Sequence, residues 1–331
     1  MVWRLVTALA MLGVATGAAQ AASFDCAKAT TPFEVAICTN PDLSKADEVL
    51  AVAYQTAIGG LSKPALAEMQ KAQRSWLDYA QRSCTDDARL PKAKYPEEQL
   101  SCLQTQISNR ARGLEASRMW GGLRFYTVDT FEVIPDSTAE ADAWSKVATR
   151  EISTPRIDGT DAEAEAFNAF IDDMAPKATG EQDETSDVTI KSTIDGVTPA
   201  RISVVVNNWW YGHGAAHGNY DITYLHFLRG DNRPLQASDI LDKDGWQEQL
   251  GKLALAELDE TIEGGIWEES REDAAANAAD PSRWNFSFEG LMIQYQPYEV
   301  TAYAYGAPVV TIPWAQLTDF LSDRALEIGQ Y

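Results

Sequence analysis

The sequence predicts two domains, an all-α disulfide-stapled helical domain followed by an α+β domain with a mainly antiparallel sheet. Three observations predict this. All four cysteines, Cys26, Cys38, Cys84 and Cys102, fall in the first third of the 331 residues. Apolar residues recur at helical spacing up to about residue 119, and from Leu123 onward alternation with a period of two takes over between helical patterns. The later segment interleaves strands and helices without a Gly-rich phosphate motif, which favours an antiparallel sheet over a nucleotide-binding one.

Residues 1–22 read as a secretory signal peptide. Arg4 precedes an apolar run from Leu5 to Ala19, and Ala19-Gln20-Ala21 is a small-residue cleavage site. The run is short for a membrane span, and no cysteine stands at the cleavage site to take a lipid. The expectation is a periplasmic or secreted protein with no membrane anchor after cleavage. Four clustered cysteines in an exported chain imply two disulfides. A zinc site is disfavoured, because the gaps within Cys26/Cys38 and Cys84/Cys102 exceed ligand spacing and no histidine is near.

Residues 23–119 form the expected helical domain. Leu43, Ala46, Leu50, Ala53, Tyr54 and Ala57 share one helical face, with a start signal at Thr39–Asp42 and a stop at Gly59-Gly60. A second helix over Ser62–Arg82 places Leu66, Met69, Ala72, Gln73 and Trp76 together, and a third over Glu97–Met119 repeats the pattern from Leu100 to Leu114. An antiparallel pair of these helices would bring Cys84 to Cys102 across the Pro91–Pro96 loop. That leaves Cys26 for Cys38, although spacing alone leaves the other two connectivities open.

The stretches FDC, FEVAIC, LSKADEVLAVAY, QRSWLDYAQRSC and CLQTQISNRARGL resemble the LprI-type lysozyme inhibitors over about residues 24–115. Glu34, Asp47, Tyr54, Trp76, Arg82 and Arg110 lie in that motif context. Trp76 and Tyr54, on apolar helical faces, read more simply as core than as contact surface.

Residues 120–331 form the expected α+β domain. LRFYTVDTFEVI and KVATREISTPRI read as strands and DGTDAEAEAFNAFIDDMA as a helix. After the acidic stretch ATGEQDETSD, strands resume at VTIKSTI and ARISVVVNNWWY, and NYDITYLHFL returns as the second arm of a hairpin. DGWQEQLGKLALAELDETI is a helix. Asp239, Asp242 and Asp244 lack calcium-loop spacing, so Asp242 or Asp244 is expected to cap that helix. An acidic piece, WEESREDAAANAAD, precedes strands at RWNFSFEG, LMIQYQPYEVTAYAYG and APVVTIP, and WAQLTDFLSDRALEIG closes the chain as an amphipathic helix. EISTPRIDG, WWYGHGAAHG, PLQASDIL and YEVTAYAYGAPVVTIPWAQL resemble the extracellular domain of RsiV-type lysozyme-sensing anti-sigma factors, a domain also found beside peptidoglycan deacetylases. The chain lacks a sigma-binding region and a membrane helix, so sigma-factor regulation is not implied.

The charge balance constrains partners. With 27 Lys+Arg against 49 Asp+Glu the net charge is -22, and loss of Arg4 with the leader takes it to -23. Nucleic acid and anionic lipid are poor partners, whereas a basic protein is drawn to such a surface.

No catalytic constellation stands out. His213 and His217 have x-x-x spacing, but Gly212, Gly214 and Gly218 argue against a helical metal site and H-E-x-x-H is absent. No G-x-S-x-G elbow occurs, and no carboxylate pair is singled out among 49 acids. The expectation is therefore no catalytic residue, no metal and no cofactor. The candidate binding residues are Trp209, Trp210, Tyr211, His213, His217, Tyr298, Tyr303 and Tyr305, about half of them expected to be interior by strand alternation. Both resemblances imply lysozyme, or another basic wall hydrolase, as partner. Peptidoglycan bound through the same aromatics is the alternative, and an uncharacterised wall hydrolase is a further one.

Overall fold

The computed structural model describes residues 22–85, 95–140, 143, 145–174 and 184–329. Residues 1–21 of the expected leader, most of the Pro91–Pro96 loop and residues 178–183 of the acidic stretch lie outside the described residues.

The helical region comprises a 3-10 turn at Cys26–Lys28, α1 (Pro32–Thr39), α2 (Pro41–Ile58), α3 (Lys63–Cys84) and α4 (Glu97–Leu114). Local chemistry sets the helix starts. Thr31 and Glu34 form a reciprocal capping box on α1, Asn40 accepts from the amides of Asp42 and Leu43 at α2, and Ser62 caps α3. All three helices carry proline in the first turn, where a missing N–H costs nothing. Cys26 is bonded to Cys38 and Cys84 to Cys102, with Cα–Cα distances of 5.7 and 5.6 Å. The third long helix stops at Leu114 instead of Met119, because Ser117 turns the chain and donates its hydroxyl to Ala57 O.

Among the described residues, seven strands form one sheet in sequence order: β1 (Met119–Trp120), β2 (Leu123–Pro135), β3 (Val147–Ile157), β4 (Ser186–Val197), β5 (Arg201–Gly212), β6 (Asn219–Leu228) and β7 (Arg233–Pro234). Every pairing is antiparallel except β3 with β4, whose crossover carries α5 (Ala162–Met174). Phe167, Phe170 and Ile171 of α5 bury one sheet face against Ile190, Ile202, Val204, Val206 and Phe227.

The remainder forms a smaller unit. A three-stranded antiparallel sheet of β8 (Trp284–Phe286), β9 (Gly290–Gln294) and β10 (Val309–Pro313) packs with α6 (Trp246–Thr261), α7 (Arg271–Asn277), α8 (Trp314–Leu317) and α9 (Ala325–Gly329). It is joined to the large sheet by buried polar contacts. His226 on β6 bonds Trp284 O through Nε2 and Ser203 Oγ through Nδ1, while Arg201 donates to Ile328 O and stacks over Phe286.

Three sequence expectations need correction here. The strand expected through YEVTAYAYG ends at Gln294, because the Glu299 carboxylate accepts from Gln296 N and Tyr298 adopts a left-handed φ of 65° that no strand tolerates. The closing helix is broken into α8, a 3-10 turn and α9, since Leu321 leaves to bridge Leu241 and Ser322 N donates to Ile240 O. Neither Asp242 nor Asp244 caps α6. Gly245 holds that position with a φ of 80°, and Asp242 pairs with Lys243.

The helical region and the large sheet share one core. Phe131, Val133 and Val147 of β2 and β3 join Met69, Trp76, Tyr79, Leu103 and Ile107 in a single buried cluster. Polar contacts fix the docking: Arg82 donates to Val133 O, Arg124 to Ala57 O, and Ser62 to the Asp158 carboxylate.

Candidate functional site: an aromatic edge rimmed by carboxylates

The β5–β6 hairpin carries the candidate residues at its outer end. Buried core on β5 stops at Val206, so beyond it neither face is fully covered. Trp209 and Trp210, on opposite faces, are therefore both exposed, at 39% and 37%. None of the eight candidates is buried, contrary to the expectation that about half would be interior. Alternation buries every second residue only where something packs on the sheet.

Two aromatic groups result. Trp209 and Tyr211 lie on one face as a near-parallel pair, 6.3 Å between centroids and 15° between planes. Gly218 makes this possible, since a Cβ there would stand 2.8 Å from Trp209 Nε1. The second group ties the hairpin tip to the smaller unit. His217 stacks on Tyr303 at 4.3 Å, Tyr298 adjoins both rings, and Tyr303 donates its hydroxyl to Gly218 O. His217 Nδ1 donates to Gly218 O, which leaves Nε2 to accept from the Tyr298 hydroxyl. Tyr305 stands apart from this stack, donating to Glu263 O.

His213 faces different partners. Its ring lies between two carboxylates, Nδ1 at 3.4 Å from Asp136 and Nε2 at 3.6 Å from Asp187. The two histidines thus do not converge on one point. Among the described residues no group of three or more His, Cys, Asp or Glu is placed to hold a metal ion.

Acidic groups rim the edge. Asp136 is held below the usual carboxylate range, chiefly by hydrogen bonds from the Thr138 side chain and backbone. Asp221 is pushed up by burial, partly offset by the hydrogen bond from Asn208. Sequence reasoning missed Asp136 and Asp187. Two acids among 49 carry no local signal, and only the strand pairing Asp187↔Tyr211 and the contact of Asp136 with His213 place them at the tip.

The polar residues that carry the helical region's resemblance have mainly structural positions. Glu34 caps α1 and sits below the usual carboxylate range because Thr31 and Thr30 amides donate to it. Asp47 accepts from Ser23 N, Arg82 holds β2, and Trp76 is 2% exposed in the shared core. Tyr54 is the exception, half-buried in a groove of about 550 Å³ bounded by Phe24, Asp47 and Leu77. Arg110 reaches Asp129 on β2.

Fold and site together define a disulfide-stapled helical bundle docked on a sheet with an aromatic, acid-rimmed hairpin end. Residues 26–114 match the family model of the lysozyme inhibitor LprI, and residues 238–315 match a family of unknown function, DUF3298. Two solved structures of that second family are similar to this chain. One from Bacteroides fragilis shows 19% identity over 63% of this chain and 97% of its own, at a TM-score of 0.46. One from Pseudomonas aeruginosa shows 14% identity over 61% of this chain and 96% of its own, at a TM-score of 0.41. No curated protein matches.

Proposed function

We propose that the protein is an exported, acidic, non-enzymatic binding protein that captures a basic glycan-cleaving enzyme of the lysozyme type and inhibits it. The observation that carries this reading is the match of residues 26–114 to the lysozyme inhibitor family, with both disulfides in place. Export is supported by the leader-like start, by the disulfides, and by the absence among the described residues of a helix long and apolar enough to cross a membrane.

Charge supports the partner class. A net charge of -22 steers a cationic enzyme toward the surface and raises the encounter rate at low salt. Steering is not affinity, which rests on a few desolvated anchors. Trp209, Trp210, Tyr211, His213, His217, Tyr298, Tyr303 and Tyr305 are proposed as that anchor surface. Aromatic faces beside Asp136 and Asp187 suit the long cationic side chains of a basic protein, through cation–π and charge-assisted contacts. The domain division at residues 119 and 120 is part of this proposal.

The test is inhibition of a c-type lysozyme on a soluble oligosaccharide substrate, with binding measured in parallel at low and high salt. Inhibition that weakens steeply with salt is expected. Absence of both binding and inhibition at low ionic strength overturns the reading. Retention on insoluble peptidoglycan without any effect on lysozyme would instead favour a wall-glycan module, for which the Trp209–Tyr211 pair would serve as a sugar platform.

A further inference from the structure

A second cavity lies away from the aromatic edge, between α4 and the face of the large sheet. Its volume is about 470 Å³, within the range of small-molecule sites. Phe131 and Trp76 contribute apolar wall, and Gln106, Asn109, Thr127 and Thr193 contribute amides and hydroxyls.

Two buried polar groups lining this cavity have no hydrogen-bond partner among the described residues. The Arg110 side chain is 4% exposed, donates through Nε to Gln73 and through Nη1 to Asp129, and leaves Nη2 unbonded. Ser192 is 2% exposed, and its hydroxyl has no partner. Leaving such groups unsatisfied carries their full desolvation penalty, which is larger where a charge is involved. Asp129 does not call for a second cation, because it already accepts from Arg110, Thr127 and Ser153.

The charge here runs against that of the whole molecule. Arg110, Arg112, Arg118 and Lys191 line the cavity against Glu115, Asp129 and Glu151, four cations to three carboxylates on a chain of net charge -22. Glu151 is paired with Lys191 at 3.1 Å. Arg112 bonds Asn109 and Arg118 stacks over Trp120, and neither forms an ion pair with a described residue. A single positive charge thus remains in excess, next to a guanidinium edge and a hydroxyl that both lack acceptors.

We propose that this cavity binds a small organic carboxylate. The carboxylate oxygens accept from Arg110 Nη2 and the Ser192 hydroxyl, and the organic body lies against Phe131 and Trp76. Its occupant would bridge α4 and β4, and so stabilise the docking of the helical region on the sheet.

The experiment is calorimetric titration and thermal shift of the full chain at low salt. The probes are glucuronic acid, N-acetylmuramic acid and glutamate, with glucose, N-acetylglucosamine and glutamine as neutral counterparts and inorganic phosphate as a bare anion. Saturable binding and a raised Tm are expected for at least one carboxylate, not for its neutral counterpart or for phosphate. Ser192→Ala removes no existing hydrogen bond and should weaken that binding about tenfold or more, as loss of a bond to a charged group does. Arg118→Gln, a second variant away from the buried pair, should weaken it as well. The proposal fails if no carboxylate binds, if phosphate or the neutral counterpart binds as well, or if Ser192→Ala binds like the parent.

Discussion

Arg110 on α4 and Asp129 on β2 form an ion pair in which each side chain is 4% exposed, and the pair joins the helical region to the sheet. Taken singly, neither charge survives burial cheaply. Removing one partner strands the other, at a typical cost of 3–5 kcal/mol, whereas replacing both with apolar groups is often neutral. Arg110→Leu and Asp129→Leu are each expected to destabilise by about that amount, with the double variant recovering most of it. Denaturant unfolding of the four proteins of this double-mutant cycle is the check, and additive losses would refute the coupling.

Acid should act on His226. Burial, and secondarily the nearby Arg201, pushes this imidazole down to about 3, so the folded state keeps it neutral. Its folded pKa lies below the unfolded value of about 6.5, and the unfolded chain binds the extra proton. The contribution is full above pH 6.5 and declines as pH falls toward 3. Between pH 7 and 5 it amounts to about 2 kcal/mol. His226→Gln should lose that part of the pH dependence, measured as unfolding free energy against pH beside the parent.

If the aromatic edge anchors a basic enzyme, Trp209→Ala should weaken binding about thirtyfold, the scale of a central interface anchor. Its Tm should stay close to that of the parent, because the side chain is outside every buried cluster. Asp187→Asn should act more on the association rate and on the salt slope. Surface plasmon resonance across a salt series separates the two effects.

Gly218→Ala tests the close approach beneath Trp209. A methyl group 2.8 Å from the indole nitrogen forces the ring off its present seat. A shift in tryptophan emission is expected with little change in Tm, because the ring is 39% exposed and can swing aside. An unchanged spectrum would show that Trp209 does not rest there.

Opening the Cys84–Cys102 disulfide, which closes a separation of 18 residues, should cost about 3 kcal/mol by the loop-entropy account. Cys84→Ser/Cys102→Ser, compared with the parent by denaturant unfolding, measures it.

Much of the fold was legible because local chemistry agreed with global packing. The start signal at Thr39–Asp42, the helix beginning at Ser62 and the helical spacing from Leu43 to Leu114 mark the long helices, and the run from Arg201 to Tyr211 with its return marks the hairpin. Where long-range contacts won, local pattern misled. Tyr298 is alternating by sequence yet lies in a left-handed turn, and Leu321 leaves a helical pattern to bridge Leu241. The site was half legible: aromatic residues announce themselves, but Asp136, Asp187 and the unpartnered groups of Arg110 and Ser192 acquire meaning only once strands and helices meet.

The shared core beneath α3 and β2 bears on how the molecule melts. Tyr79 packs on Phe131 at 5.3 Å between rings, and cutting the chain between α4 and β2 would turn that contact into wetted surface on both pieces. The helical region and the large sheet therefore form one cooperative unit, whose calorimetric trace should show the two losing heat-resistance together.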